Sequence, residues 1–489
     1  METHIWMQWL LEPVILPEEQ VELQTVDIYS KWFGTVGHRV GVPSLLVWPR
    51  LSQLVNKYPP TTTPQAIGRC PSPTTLEVRG RQYPSLVSFF GDTGGGKSTL
   101  IKTLIRNRNF SKYWDAPVPG DRADSHYSTS GDVHSYIDPS SASGEAPMFY
   151  ADCEGLRGSS ITALKKLAAR SYEPNDSRHP SRSFGQSLRT REPPEERLKR
   201  TLREHQEKAT HDLRLIWAVK HAGPLQEDPS SRQYIVKHLF PRFLYTFSDV
   251  VCYVTENART TEQEIEDLIG WASMGHRMTV NQRIKPSLII VTNKDTRPGA
   301  TEWCDVDYAT GKQIDKLNIA FDRFSRLRDK WMERGKELKS TKDLILCYYD
   351  SFRVICIPSL VAVPSGIIAR QYEKLYAEIQ LASQTIRTKR QDRGMKLDIE
   401  SFSFYTQHAF ELFSKNLGHT FDFRNVGGRL ASIPEDFSDH LVNLLVRLKD
   451  RQESPAETTV GQEVATLKKF IPFLASCLAL EYVEKHGGP

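Results

Sequence analysis

The sequence predicts an α/β domain with a mainly parallel sheet, followed by a helical C-terminal region. Three observations carry this. First, PSLVSFFGDTGGGKSTLIKTLI sets a glycine-rich loop between an apolar strand and a helix whose Leu100, Ile101, Leu104 and Ile105 share one face. Second, short apolar runs at 148–151, 250–255, 287–292 and 353–358 read as further strands, with helical stretches at 262–273 and 311–330 between the last three. Strands alternating with helices make a parallel sheet whose functional edge lies at the carboxyl ends of the strands. Third, after Pro364 the apolar residues move to helical spacing.

Taken in order, residues 1–83 read as an N-terminal extension. It has weak helical periodicity near Leu51–Val55, then the Pro/Thr-rich linker PPTTTPQAIGRCPSPTT. Trp6, Trp9, Trp32, Phe33 and Trp48 are either anchors for this arm or scattered aromatics. The nucleotide-domain candidate covers 84–365, and its run at 172–200, rich in Ser, Arg, Pro and Glu, reads as a disordered surface insertion. Residues 366–489 form the helical region. Ile368, Tyr372, Leu375 and Ile379 mark a stripe on a helix reaching to about 389, which suits a core face better than a coiled-coil seam. Helices are expected at 401–417 and 435–448, and one at 463–483 should be interrupted by Pro472.

The chain has 489 residues, and roughly 150 residues per domain would allow two to four domains. Its net charge of +5 is too small and too dispersed to argue for nucleic acid, and the insertion mixes both signs, so no specific nucleic-acid partner is expected. Seven cysteines without close pairs suggest neither a disulfide framework nor a zinc site. No apolar run approaches the roughly eighteen residues of a membrane helix, and METHIWMQWLL lacks a basic n-region, so a cytoplasmic location is expected.

The sharpest motif is Gly91-Asp92-Thr93-Gly94-Gly95-Gly96-Lys97-Ser98, a complete GxxxxGK[ST] in strand–loop–helix context, with Thr99 just behind it. Glycines let the backbone wrap phosphates and the helix N-terminus turns its N–H groups on them. Lys97 is expected on the β- and γ-phosphates and Ser98 on Mg²⁺. The strand PMFYADCEG ends in Asp152, placed to reach the magnesium shell, and Gly155 can offer its N–H to the γ-phosphate. Between them, HYSTSGDVHSYIDP should supply a closing hydroxyl; Thr129 is the candidate for the metal, with Ser128 and Ser130 as rivals. The strand KPSLIIVTNKD ends in Thr292, Asn293, Lys294 and Asp295. A carboxylate at Asp295 can accept from guanine N1–H and the 2-amino group, donors that adenine does not pair in this way. FRVICIPS should bring Ile357, Pro358 and Ser359 to the same base.

With these four elements in order, the chain resembles the G domain of translation-factor-like P-loop GTPases over about 84–365. The Asp-x-Glu-Gly form is most similar to the dynamin-related group, especially guanylate-binding proteins and atlastins. The GDTGGGKST loop is more similar to septin and chloroplast-translocon GTPases, and large uncharacterised fungal G-domain proteins contain similar segments. The resemblance implies a three-layer P-loop NTPase G domain, with GTP and Mg²⁺ as cofactors. Two alignments of the base motif compete. Matching Asn293 and Lys294 to Asn-Lys-x-Asp puts Thr296 at the acidic position, whereas matching Thr292 and Asp295 keeps the carboxylate, and the second is preferred.

The arginine-finger position of guanylate-binding proteins is Gly94 here, and Leu156 stands where Ras-like proteins carry a water-positioning glutamine. Glu154 is the side-chain candidate for holding the water, backbone groups or a partner being alternatives, and Arg157, the insertion or another subunit could supply an arginine. The expected function is a GTPase switch. The alternatives are a GTP-binding scaffold with little hydrolysis and an ATPase, and a homodimer across the nucleotide face or an unidentified protein partner stays open.

Overall fold

A computed structural model describes residues 26–37, 41–59, 82–109, 114–119, 131–156, 194–219, 228–256, 261–275, 284–297, 301–319, 321–359, 361–393 and 395–423, with a few isolated positions beyond. The chain divides into two units, Met1–Phe421 and Asp422–Pro489. The helices expected at 435–448 and 463–483 fall almost wholly outside the described residues, as do Thr129, Ser128, Ser130 and Arg157.

Nine strands among the described residues form one mixed sheet. They are β1 (Lys31–Val36), β2 (Ser44–Val47), β3 (Ser85–Gly91), β4 (Val133–Ile137), β5 (Met148–Cys153), β6 (His211–Arg214), β7 (Val250–Thr255), β8 (Ser287–Asp295) and β9 (Phe352–Pro358), in the order β6-β2-β1-β4-β5-β3-β7-β8-β9. The neighbours β5, β3, β7, β8 and β9 are parallel to one another. The other four pairings are antiparallel.

The expectation of a mainly parallel sheet is therefore corrected: the sheet is half parallel and half antiparallel. The reason lies in the segment before residue 84. Strands β1 and β2 face each other across a short connection, which antiparallel pairing permits and parallel pairing does not. They extend the sheet beyond β4, with Phe33 opposite both Val47 and Val133. Trp32, Phe33 and Trp48, read as anchors or scattered aromatics, are buried parts of this layer.

The helices are α1 (Arg50–Lys57), α2 (Lys97–Arg108), α3 (Pro194–Glu207), α4 (Arg232–Phe247), α5 (Thr261–Gly275), α6 (Val306–Ile319), α7 (Ser325–Met332), α8 (Thr341–Tyr348), α9 (Ser365–Asp392) and α10 (Ile399–Lys415). Helix α3 begins inside the span read as an insertion. The single helix expected over 311–330 is two, α6 and α7, parted by a 3₁₀ turn at Phe321–Phe324.

Central strands β3, β7 and β8 are buried along almost their whole length, as strands covered on both faces must be. Alternate residues Val87 and Phe89, Cys252 and Val254, and Ile289 and Val291 face one apolar cluster with Leu100, Ile101, Leu104 and Ile105 of α2. The α9 stripe Ile368, Tyr372, Leu375 and Ile379 completes that cluster, so it is core. On aromatic packing elsewhere, Phe243 of α4 stacks on Phe410 of α10 at 4.0 Å, and Phe33 of β1 lies 4.9 Å from Phe243. Among the described residues no helix is long and apolar enough to cross a membrane.

Candidate functional site

Strand β3 delivers the chain at Gly91 into the loop 92–96, and α2 starts at Lys97. Gly91 has φ +136°, and a Cβ there would lie 2.0 Å from the Val254 carbonyl oxygen of β7. Only glycine lets the loop leave the sheet so close to the neighbouring strand. Gly96, at φ +86°, caps the helix, and a Cβ there would meet the Asn293 amide nitrogen at 2.4 Å.

Lys97 is buried, and its Nζ donates to the carbonyls of Gly91 (3.0 Å) and Asp92 (2.9 Å). The ammonium thus lies folded under the loop. Burial lowers its pKa, opposed chiefly by the charge of Asp152. The next residue, Ser98, donates from Oγ to Asp152 Oδ2 at 2.7 Å. Asp152 sits fully buried near the end of β5, opposite Phe89 of β3 and His134 of β4. Hydroxyl and carboxylate are thereby brought together beside the loop. Both are hard oxygen donors, the chemistry Mg²⁺ requires when phosphate and water complete its shell. Among the described residues there is no cluster of three or more His, Cys, Asp or Glu that would hold a metal without such help.

Gly155 is pressed against the same loop. A Cβ on it would lie 2.2 Å from Thr93 Oγ1 and 2.7 Å from Thr93 Cα. The Leu156 amide donates to the Gly91 carbonyl at 3.2 Å. Glu154, the expected holder of a water nucleophile, has its carboxylate committed elsewhere: Oε1 accepts from Arg232 Nε (3.1 Å) and Oε2 from the Asp132 amide (2.7 Å).

From the other side, β8 ends on the loop. Asn293 Nδ2 donates to the Gly95 carbonyl at 3.0 Å, and Lys294 Nζ reaches the Gly94 carbonyl at 3.4 Å while pairing with Glu256. Thr292, Asn293 and Asp295 are buried and Lys294 is exposed. Strand β9 brings Pro358 into register with Asp295, and the Ser359 amide donates to the Asp295 carbonyl at 2.8 Å. Both Asp295 oxygens accept from the Arg297 side chain, at 2.6 to 2.9 Å.

The structure thus gathers the described candidates, 91–99, Asp152, Glu154, Gly155, 292–295, Pro358 and Ser359, at the carboxyl edge of the parallel strands. Several residues beside them carry no local sequence signal. Arg232, first in α4, bridges Glu154 and Asp132 (2.6 Å) and donates to the Thr35 carbonyl at 2.8 Å. Lys31 pairs with the other Asp132 oxygen at 2.7 Å. Asp132 adopts φ +78°, and its carboxyl fills space that a Cβ on Gly34 would take. Burial raises the Asp132 pKa, but Lys31 and Arg232 outweigh it and hold the carboxyl well below the usual range. Two cations face two carboxylates, tying β1, the start of β4, the end of β5 and α4 into one knot. No family model and no curated protein matches this chain.

Proposed function

We propose that the chain is a Mg²⁺-dependent guanine-nucleotide-binding protein that hydrolyses GTP to GDP and phosphate as a conformational switch, through a P-loop G domain. The observation that carries this reading is the convergence on one glycine loop of three segments, the start of α2, the end of β5 and the end of β8: Lys97 beneath it, Ser98 with Asp152 beside it, Gly155 against Thr93, and Asn293 on Gly95. Lys97 would neutralise phosphate charge, the loop amides would cradle phosphate oxygens, and Ser98 with Asp152 would hold the metal. A shift of Gly155 toward a γ-phosphate would move the turn after β5. Asp295 would read the base. Thr129 keeps its proposed role at the metal. The five described cysteines are buried free thiols, which suits a reducing compartment, and we place the protein in the cytoplasm.

Two observations favour a second reading, a GTP-binding scaffold with little turnover. The Glu154 carboxylate is engaged by Arg232, and Leu156 next to the sensing glycine is apolar and buried. Phosphate release by purified protein with GTP and Mg²⁺ separates the two. Release that disappears in Lys97→Ala supports the switch; tight GTP binding without single-turnover release supports the scaffold. Preferential displacement of bound nucleotide by ATP would overturn the guanine assignment.

A further inference from the structure

Asp295 is the group the nucleotide reading assigns to guanine, yet its carboxylate is already forked. Arg297 Nε donates to Oδ1 at 2.8 Å and Nη2 donates beside it to Oδ2 at 2.6 Å, and the Arg297 amide adds a bond to Oδ1 at 3.0 Å. The same guanidinium lies over Trp303, its Cζ 3.9 Å from the ring centroid, and its Nη approaches Cys356 Sγ of β9 at 3.4 Å. Asp295 is buried, its side chain only 4% exposed, whereas Arg297 is reached by solvent.

Guanine would offer this carboxylate the same thing. Its N1–H and exocyclic amine are two parallel N–H donors on one C–N skeleton, a guanidine unit within the purine. Two parallel donors to one carboxylate is the strongest geometry either partner can reach, and the two sets of donors compete for the same pair of oxygens. Adenine lacks the paired donors and gains nothing from the carboxylate.

We infer that Arg297 is an intramolecular stand-in for guanine, a specificity-determining residue that holds the Asp295 carboxylate and must withdraw before a guanine base can take it. The inference rests on the guanine-nucleotide reading above. Arg297 swings on the chain just beyond β8, and its departure leaves the Trp303 ring uncovered at the site. Guanine binding is weakened by the work of breaking the fork, while adenine binding is not, so the chain's preference for GTP over ATP is smaller than a free carboxylate would give.

The test is competitive titration of GTP and ATP, with Mg²⁺, against wild type, Arg297→Met and Asp295→Asn. Methionine keeps apolar contact with Trp303 but cannot fork the carboxylate. The expected result is a rise of about tenfold in the GTP-to-ATP affinity ratio for Arg297→Met, the size of one charge-assisted hydrogen bond, with ATP affinity nearly unchanged. Arg297→Lys, which keeps the charge without the fork, should fall between and stands in if the methionine variant does not fold. An unchanged or lower ratio in both Arg297 variants overturns the inference while leaving nucleotide binding intact. A ratio unaffected by Asp295→Asn overturns the base assignment and the inference with it. Failure of every variant and of wild type to bind either nucleotide overturns the nucleotide reading itself.

Discussion

Replacing Arg232 with methionine removes the central cation of the buried knot while keeping most of the side-chain volume. In the wild type Arg232 makes four hydrogen bonds, two to Glu154, one to Asp132 and one to the Thr35 carbonyl. Without it, Asp132 keeps Lys31 and the Thr35 amide, at 2.7 and 3.0 Å. Glu154 keeps only the Asp132 amide among these partners, and loses its cation. Breaking a buried ion pair by deleting one partner costs about 3–5 kcal/mol, and with Lys31 still neutralising Asp132 the loss should sit near the lower end, about 3 kcal/mol.

The assay is urea unfolding followed by tryptophan fluorescence, to which the buried Trp32 and Trp48 contribute. The pH dependence gives a second check. Asp132 titrates below its unfolded value because of Lys31 and Arg232, so its contribution is complete above about pH 4 and drains away as pH falls toward the folded pKa. With one of the two cations gone, that contribution is smaller, so the gap between wild type and variant should narrow below about pH 4. A deficit under about 1 kcal/mol at pH 7, or a gap that does not narrow in acid, would show that Arg232 is not the cation that holds the knot together.

Gly155→Ala would drive a methyl group into Thr93, whose backbone nitrogen and Cα lie within 2.8 Å of the new carbon. Overpacking of this kind costs about 1–3 kcal/mol, and here it also separates the turn from the loop, so nucleotide affinity should fall more than thermal stability does; unchanged affinity would count against the site. Asn293→Ala removes the donor to the Gly95 carbonyl and should cost about 1 kcal/mol in unfolding experiments, with loss of the loop's position seen as weaker nucleotide binding. His205 is buried against Trp48, ring centroids 4.8 Å apart, and burial, with Lys31 nearby, pushes its pKa down to about 4. The unfolded chain therefore takes up this proton first as pH falls, and stability should drop between about pH 6.5 and pH 4 by more in wild type than in His205→Gln. Equal losses in urea midpoint across that range would show that His205 is not the responsible group.

The parallel half of the sheet and the glycine loop are legible in the sequence because both signals are local. A glycine run between an apolar strand and a helix needs no distant partner to be read, and buried parallel strands such as SLVSFFG and SLIIV are continuous apolar runs. The antiparallel half is not legible in the same way. KWFGTV and SLLV look like stray apolar residues in an arm until β4, about a hundred residues later, gives them a neighbour. Gly34 has meaning only because the Asp132 side chain needs its space. Likewise Arg232 and Arg297 are ordinary surface arginines by sequence. Folding brings Arg232 to Asp132 and Glu154, 100 and 78 residues away, and a bend after β8 turns Arg297 back on Asp295. The motif identified Asp152 and Lys97, whereas the groups that hold or occupy their neighbours emerge only from three-dimensional proximity.

The glycine loop is proposed to bind a guanine nucleotide with magnesium. Isothermal titration of GTP into the purified full chain, with and without Mg²⁺, tests it most directly when repeated on Lys97→Ala. Saturable, Mg²⁺-strengthened binding of one GTP per chain is expected, and its loss in the variant, because Lys97 lies under the loop with its ammonium held by the Gly91 and Asp92 carbonyls. No heat of binding in wild type, or equal binding in Lys97→Ala, would contradict it.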